Sequence, residues 1–173
     1  MTPRFENILA LDLSLHTGWA HSAGWHGVWH LGARGSEHAG RRLVRLENNL
    51  RLIGQTHAID LVAYEDSSQQ TRGQAARLLH GMLVGIVQKF AAERDVPFRA
   101  LGVSEVKALA GGGAYSKAEM IRAAQLKLGV AVRDDNEADA LWILTLAQLD
   151  LAAEARRRER RRTGGKPQQR AFL

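Results

Sequence analysis

ILALDLSLHTGWA, residues 8–20, decides how this chain is organised. Residues 7–13 (NILALDL) form an apolar run interrupted only by Asp12, which suits a buried strand ending at the acid. Residues 17–23 and 27–32 follow at hairpin spacing, punctuated by Gly18, Gly24, Gly27 and Gly32, so the first three strands are expected as an antiparallel meander. Leu43, Leu46, Leu50 and Ile53 recur every three or four residues and predict an amphipathic helix over 41–56. DLVAY at 60–64 predicts a second buried strand with Glu65 at its C-terminal end. A long helix over 73–94, a strand over 96–101, a short helix over 104–110 and the loop Gly111-Gly112-Gly113 come next. Ser116 with Glu119 three residues later is a capping box that opens a helix over 116–128, and a last helix is expected over 137–155. The order predicts an α/β chain whose mixed, five-stranded sheet is flanked by helices.

With 173 residues, 45% of them hydrophobic, the chain is the size of one domain with its own core. It has no cysteine, which excludes disulfides, thiolate metal sites and cysteine nucleophiles and suits a reducing, cytoplasmic setting. The first six residues do not lead a basic region into an apolar run, so no signal peptide is expected. No apolar stretch approaches the roughly 18 residues of a membrane span. The net charge of +6 is unevenly placed. Arg156, Arg157, Arg158, Arg160, Arg161, Arg162, Lys166 and Arg170 face only Glu159, a local +7 that leaves the rest of the chain at −1. The expected division is a body over 1–155 and a basic, flexible tail over 156–173. A polycation of this kind attracts nucleic acid through counterion release. The plain alternative is a solvated terminus that aids solubility.

Acids in apolar surroundings carry the chemistry. Asp12 sits inside ILALDLSL and Glu65 ends LVAYE. An ionised carboxylate is costly to bury unless a cation or hydrogen-bond donors compensate it. Two acids at the ends of adjacent strands point to a shared cation. RDDNEADALWIL, residues 133–144, supplies a third: Asp139, with Asp135 and Asn136 on the same helical face four and three residues before it. Capping accounts for Asp134 and Glu137, but Asp139 lies a turn inside the helix. Oxygen ligands select Mg²⁺, with Mn²⁺ as a substitute, and no cysteine or histidine cluster competes for zinc. Two such ions about 4 Å apart can activate water and stabilise the leaving oxygen of a phosphodiester.

Taken in order, these segments resemble the motifs of RuvC-type Holliday junction resolvases, within the RNase H-like superfamily. ILALDLSLHTGWA is similar to the first motif, an Asp on the first strand followed by a Gly on the second. LVAYEDS resembles the second, Lys107 and Lys117 around the glycine-rich loop resemble the family's lysine pair, and DDNEADALWIL resembles the last. The match covers about residues 7–150, and Tyr64 before Glu65 with the Asn-Glu-Ala-Asp-Ala ending looks more like phage or prophage members than the chromosomal enzyme.

The resemblance implies an RNase H-like fold with the first strand beside the fourth, and a homodimer acting on four-way DNA junctions with two metal ions per site. It implies Asp12, Glu65 and Asp139 as metal ligands, joined by Asn136 or Asp135, and Lys107 and Lys117 as phosphate contacts; taken alone, the lysines read as solvated surface. Two departures stand out. Asn136 occupies a place where many members carry Asp or His. Asp66, Ser67, Ser68 and Gln69 follow Glu65, where better-known members carry an aromatic that opens the junction.

Other readings are a branched-DNA-binding protein that does not cut, and an RNase H-like nuclease acting on RNA, which shares the Asp12-to-Gly18 spacing. An actin-like kinase or ATPase shares that spacing too, but needs a second, nucleotide-binding half. His16, His21, His26 and His30, with Trp19, Trp25 and Trp29, are expected to pack the hairpin rather than hold a metal, an exposed tryptophan there being able to stack on a base. Gly81 and Gly85 suit close helix packing, either in the dimer interface or against the chain's own sheet.

Overall fold

The computed structural model describes residues 5–32, 38–67, 73–112 and 115–163. Among them are strands β1 (Ile8–Asp12), β2 (His16–His21), β3 (His26–His30), β4 (Leu61–Asp66) and β5 (Phe98–Gly102). The helices are α1 (Ala39–Thr56), α2 (Gln74–Glu93), α3 (Val103–Ala110), α4 (Lys117–Leu128) and α5 (Asp135–Thr163). Ser68 and Gln69, Gly113 and Ala114, and Lys166 and Arg170 lie outside the described residues.

The strands form one sheet in the order β3-β2-β1-β4-β5. β1 pairs antiparallel with β2, which pairs antiparallel with β3, while β1–β4 and β4–β5 are parallel. The expected meander and the placement of the first strand beside the fourth are both present. Because side chains alternate along a strand, β1 and β4 each serve two cores. Leu9, Leu11, Val62 and Tyr64 pack with Leu46, Leu50, Leu83 and Val87 under α1 and α2. Ile8, Ala10, Leu61 and Ala63 pack on the other face with Ala138, Trp142, Ile143 and Ala147 of α5. α3 and α4 cover α5 from outside through Val106, Ala110, Met120 and Ala124. α5 is therefore a core helix over its first half, enclosed between sheet and helices.

β4 and α5 depart from the sequence expectation in ways that bear on the site. β4 runs through Glu65, which pairs with Leu101 of β5, so this acid stands inside the strand. α5 starts at Asp135 rather than residue 137 and continues past residue 155 to Thr163. The first difference follows from β5 extending the ladder beside it. The second follows from arginine's good helix propensity, which continues a helix already nucleated in the core. The expected capping box is present: the Ser116 Oγ accepts from the Glu119 amide at 3.4 Å and Glu119 Oε2 accepts from the Ser116 amide at 2.7 Å. Among the described residues no helix is long and apolar enough to cross a membrane.

Candidate active site

Alternation along the strands puts the acids on one face. Asp12 shares the face of Ile8 and Ala10, and Glu65 that of Leu61 and Ala63, so both are directed toward the layer holding α5. The start of α5 is fixed over them by its cap. Asp134 Oδ1 accepts from the Asn136 backbone amide and from its Nδ2, each at 2.8 Å. Glu137 reaches back to accept from the Arg133 amide at 3.2 Å and meets His26 Nδ1 on β3 at 2.7 Å. Gly18, paired with Asp12 across β1 and β2, explains how close the helix comes. A Cβ at Gly18 would lie 1.8 Å from the Asn136 carbonyl oxygen, so only glycine admits the helix there.

The resulting electrostatics is a cluster of frustrated carboxyls. Burial, then Asp139, Glu65 and Asp135, push the Asp12 carboxyl well above the usual carboxylate range, opposed by Lys117. Burial and Asp139 raise Glu65 to about 7 against the pull of Lys107. Burial and Asp135 raise Asp139 to about 6, opposed by Lys107 and Lys117. Asp134 goes the other way: burial pushes it up, but the hydrogen bonds from Asn136 outweigh that and hold it low. Among the described residues no three His, Cys, Asp or Glu side chains are gathered as tightly as ligands around an ion. Asp12, Glu65, Asp135 and Asp139 against Lys107 and Lys117 sum to a formal −2, and oxygen donors with excess negative charge fit a hard divalent cation.

The lysines approach from two sides. Lys117, the first residue of α4, is exposed and hydrogen-bonds Asp135. Lys107 projects from α3 beside Glu65 and Asp139, and these three line one recess with Val106 and Met120. Asp12, Lys117 and Asn136 instead line a neighbouring groove of about 870 Å³, with Ser14, His16 and Arg42. The acids thus stand between two openings, each with its own lysine.

The structure brings Asp12, Glu65, Asp135, Asn136, Asp139, Lys107 and Lys117 into one region. It does not bring Arg156, Arg157, Arg158, Arg160, Arg161 and Arg162 there; they lie at the other end of α5. The hairpin aromatics pack as expected, Trp19 stacking on Trp29 at 5.6 Å. Trp25, 61% exposed, sits against His57, at the end of the hairpin away from Asp12. Sequence reasoning missed the His26–Glu137 tie, for which an i-to-j contact across 111 residues leaves no local signal. It also missed His80, a buried imidazole at the groove whose Nδ1 lies 3.5 Å from the Leu13 carbonyl oxygen. Its position on the apolar face of α2 was the available clue.

No protein-family model matches the chain. Solved structures do. Thermus thermophilus RuvC in complex with a Holliday junction substrate superposes with a TM-score of 0.64 at 26% identity, over 80% of this chain and 90% of that one. Another Thermus thermophilus RuvC structure gives 0.60 at 27% identity, over 79% of this chain and 90% of that one. The yeast mitochondrial Holliday junction resolvase gives 0.56 at 13% identity, over 82% and 78%, a likeness of fold alone.

Proposed function

We propose that this chain, a RuvC-type protein by fold and motifs, is a divalent-metal-dependent endonuclease that resolves four-way DNA junctions by paired, symmetric nicks. The observation that carries this is the convergence of Asp12 and Glu65, on one sheet face, with Asp139 of the α5 helix packed over that face in a RuvC-like fold, burial and neighbouring acids raising all three.

Asp12, Glu65 and Asp139 would hold the metal, Mg²⁺ with Mn²⁺ as a substitute and two ions per site. Asp135, whose charge acts on both Asp12 and Asp139, is the better fourth ligand than Asn136. Bound there, the ions supply water activation and neutralisation of charge at the phosphodiester. Lys107 and Lys117, reaching the acids from separate openings, hold phosphates on either side and stabilise charge that develops during cleavage. Lys117 exchanges Asp135 for phosphate when DNA enters. The arginines of α5 bind DNA phosphates.

The functional unit is a two-fold dimer, matching the symmetry of a junction. α2 offers the surface: Leu83, Val87 and Phe90 face the chain's own core, while Gly81 and Gly85 have open space where a Cβ would stand and Leu78 is 59% exposed. A cytoplasmic, DNA-associated location and a phage or prophage origin belong to the same proposal.

The test is a labelled four-way junction beside a matched linear duplex, with Mg²⁺, Mn²⁺ or EDTA, using wild type and Asp12→Asn. Symmetric nicks that need metal and Asp12 and spare the duplex are expected. Tight junction binding with no cleavage in either metal would refute the nuclease and leave a structural binder.

A further inference from the structure

We propose that the end of α5 is an outrigger that grips one duplex arm of the DNA about a full turn away from the acids. This rests on branched DNA being the substrate and adds where on it the arginines act. Arg99 of β5 anchors α5 through Asp150 at 3.8 Å and Glu154 at 2.9 Å. From Ala155 to Arg162 every side chain is exposed, so the helix leaves the body directly after that anchor. At about 1.5 Å of rise per residue, Arg156 to Arg162 stand about 26–35 Å along the axis from Asp139. That distance excludes contact with the phosphate at the acids. Measured along a duplex at about 3.4 Å per base pair, it is about 8–10 base pairs.

The charge pattern of the outrigger calls for a polyanion. Arg156 and Arg160, Arg157 and Arg161, and Arg158 and Arg162 are like-charged pairs four residues apart, which repel along a helix. Glu159 answers through Arg162 at 3.0 Å, but one acid does not balance six arginines. The three pairs form three rows around the helix. A duplex lying alongside meets two of them, about four arginines and about four phosphates. The rest of the chain, excluding the basic segment, carries −1, so the attraction for DNA backbone is concentrated here.

The experiment measures binding of the full chain in EDTA to junctions whose hairpin-closed arms are about 6 or about 15 base pairs long. Wild type is compared with a variant carrying glutamine at Arg156, Arg157, Arg158, Arg160, Arg161 and Arg162. Wild type is expected to bind the long-armed junction at least about tenfold more tightly, and the variant to bind both alike. On the long-armed junction the slope of log affinity against log salt should fall in the variant by about 3–4 for each protomer bound. Trypsin cleavage after these arginines should be blocked by the long-armed junction and not by the short one. Equal loss of affinity on both junctions would overturn the proposal, placing the arginines at the crossover. No loss on either would also overturn it, leaving a partner other than duplex DNA. Failure of wild type to bind any junction would instead strike the choice of substrate, and the proposal with it.

Discussion

Replacing Glu65 with glutamine removes a charge that the metal-free fold tolerates poorly. Burial and Asp139 hold this carboxyl at about 7, whereas an unfolded chain releases the proton near about 4.3. A carboxyl raised in the folded state adds stability while protonated. That contribution is complete below about 4.3 and is lost as pH climbs through about 7. Between about pH 5 and about pH 8 the loss spans about two units, or about 2.7 kcal/mol before screening. Partial exposure of the side chain reduces this to about 1–2 kcal/mol, which in a domain of this length is about 3–6 °C. In EDTA, the melting temperature of wild type is therefore expected to fall about 3–6 °C further than that of Glu65→Gln over this range. Circular dichroism melts of the two proteins side by side provide the assay, since the histidines and other acids are common to both. Saturating Mg²⁺ at the higher pH should stabilise wild type and leave the variant nearly unmoved. Parallel pH profiles for the two proteins would refute the reasoning, because Glu65 would then ionise in the fold without penalty.

Gly18→Ala drives a methyl into the backbone of Asn136, where the added atom would sit 1.8 Å from its carbonyl oxygen; a loss of about 3 kcal/mol, or about 6–12 °C, is expected in thermal unfolding. Glu137→Gln weakens the His26 contact at 2.7 Å without moving a backbone atom, so about 1 kcal/mol is expected, measured by urea unfolding. Lys107→Met and Lys117→Met are each expected to slow single-turnover junction cleavage by about 10²–10³-fold with little change in melting temperature, since both side chains are exposed. Unchanged cleavage in either variant would remove that lysine from the chemistry.

The acids were legible because burial is encoded locally. An Asp inside an apolar run and a Glu ending another announce themselves in any short window, and the capping box at Ser116 does the same for α4. The strand order was legible only through resemblance to a family, since no window of sequence says that β1 pairs with β4. Glu65 illustrates the limit at a finer scale: DLVAY reads as a complete strand, and only the neighbouring β5 carries the ladder on to Asp66. The role of Gly18 was hidden for the same reason. Its requirement comes from a helix that begins more than a hundred residues later in the chain, and nothing near Gly18 records that approach. The end of α5 misled in the opposite direction, because an arginine run reads as a frayed tail until the buried helix that nucleates it is seen.

Alternation along β1 has a consequence for how such a protein can change over time. Leu9 and Leu11 belong to the layer shared with α1 and α2, while Ile8, Ala10 and Asp12 belong to the layer of α5. Substitutions on the first set act on the packing against α1 and α2, and those on the second act on the packing against α5 and on the candidate site, so the two layers are free to drift apart. Length is not free in the same way. One residue inserted or deleted between Ile8 and Asp12 would turn the acid to the opposite side of the sheet, abolishing the site in a single step while leaving a strand that still looks intact.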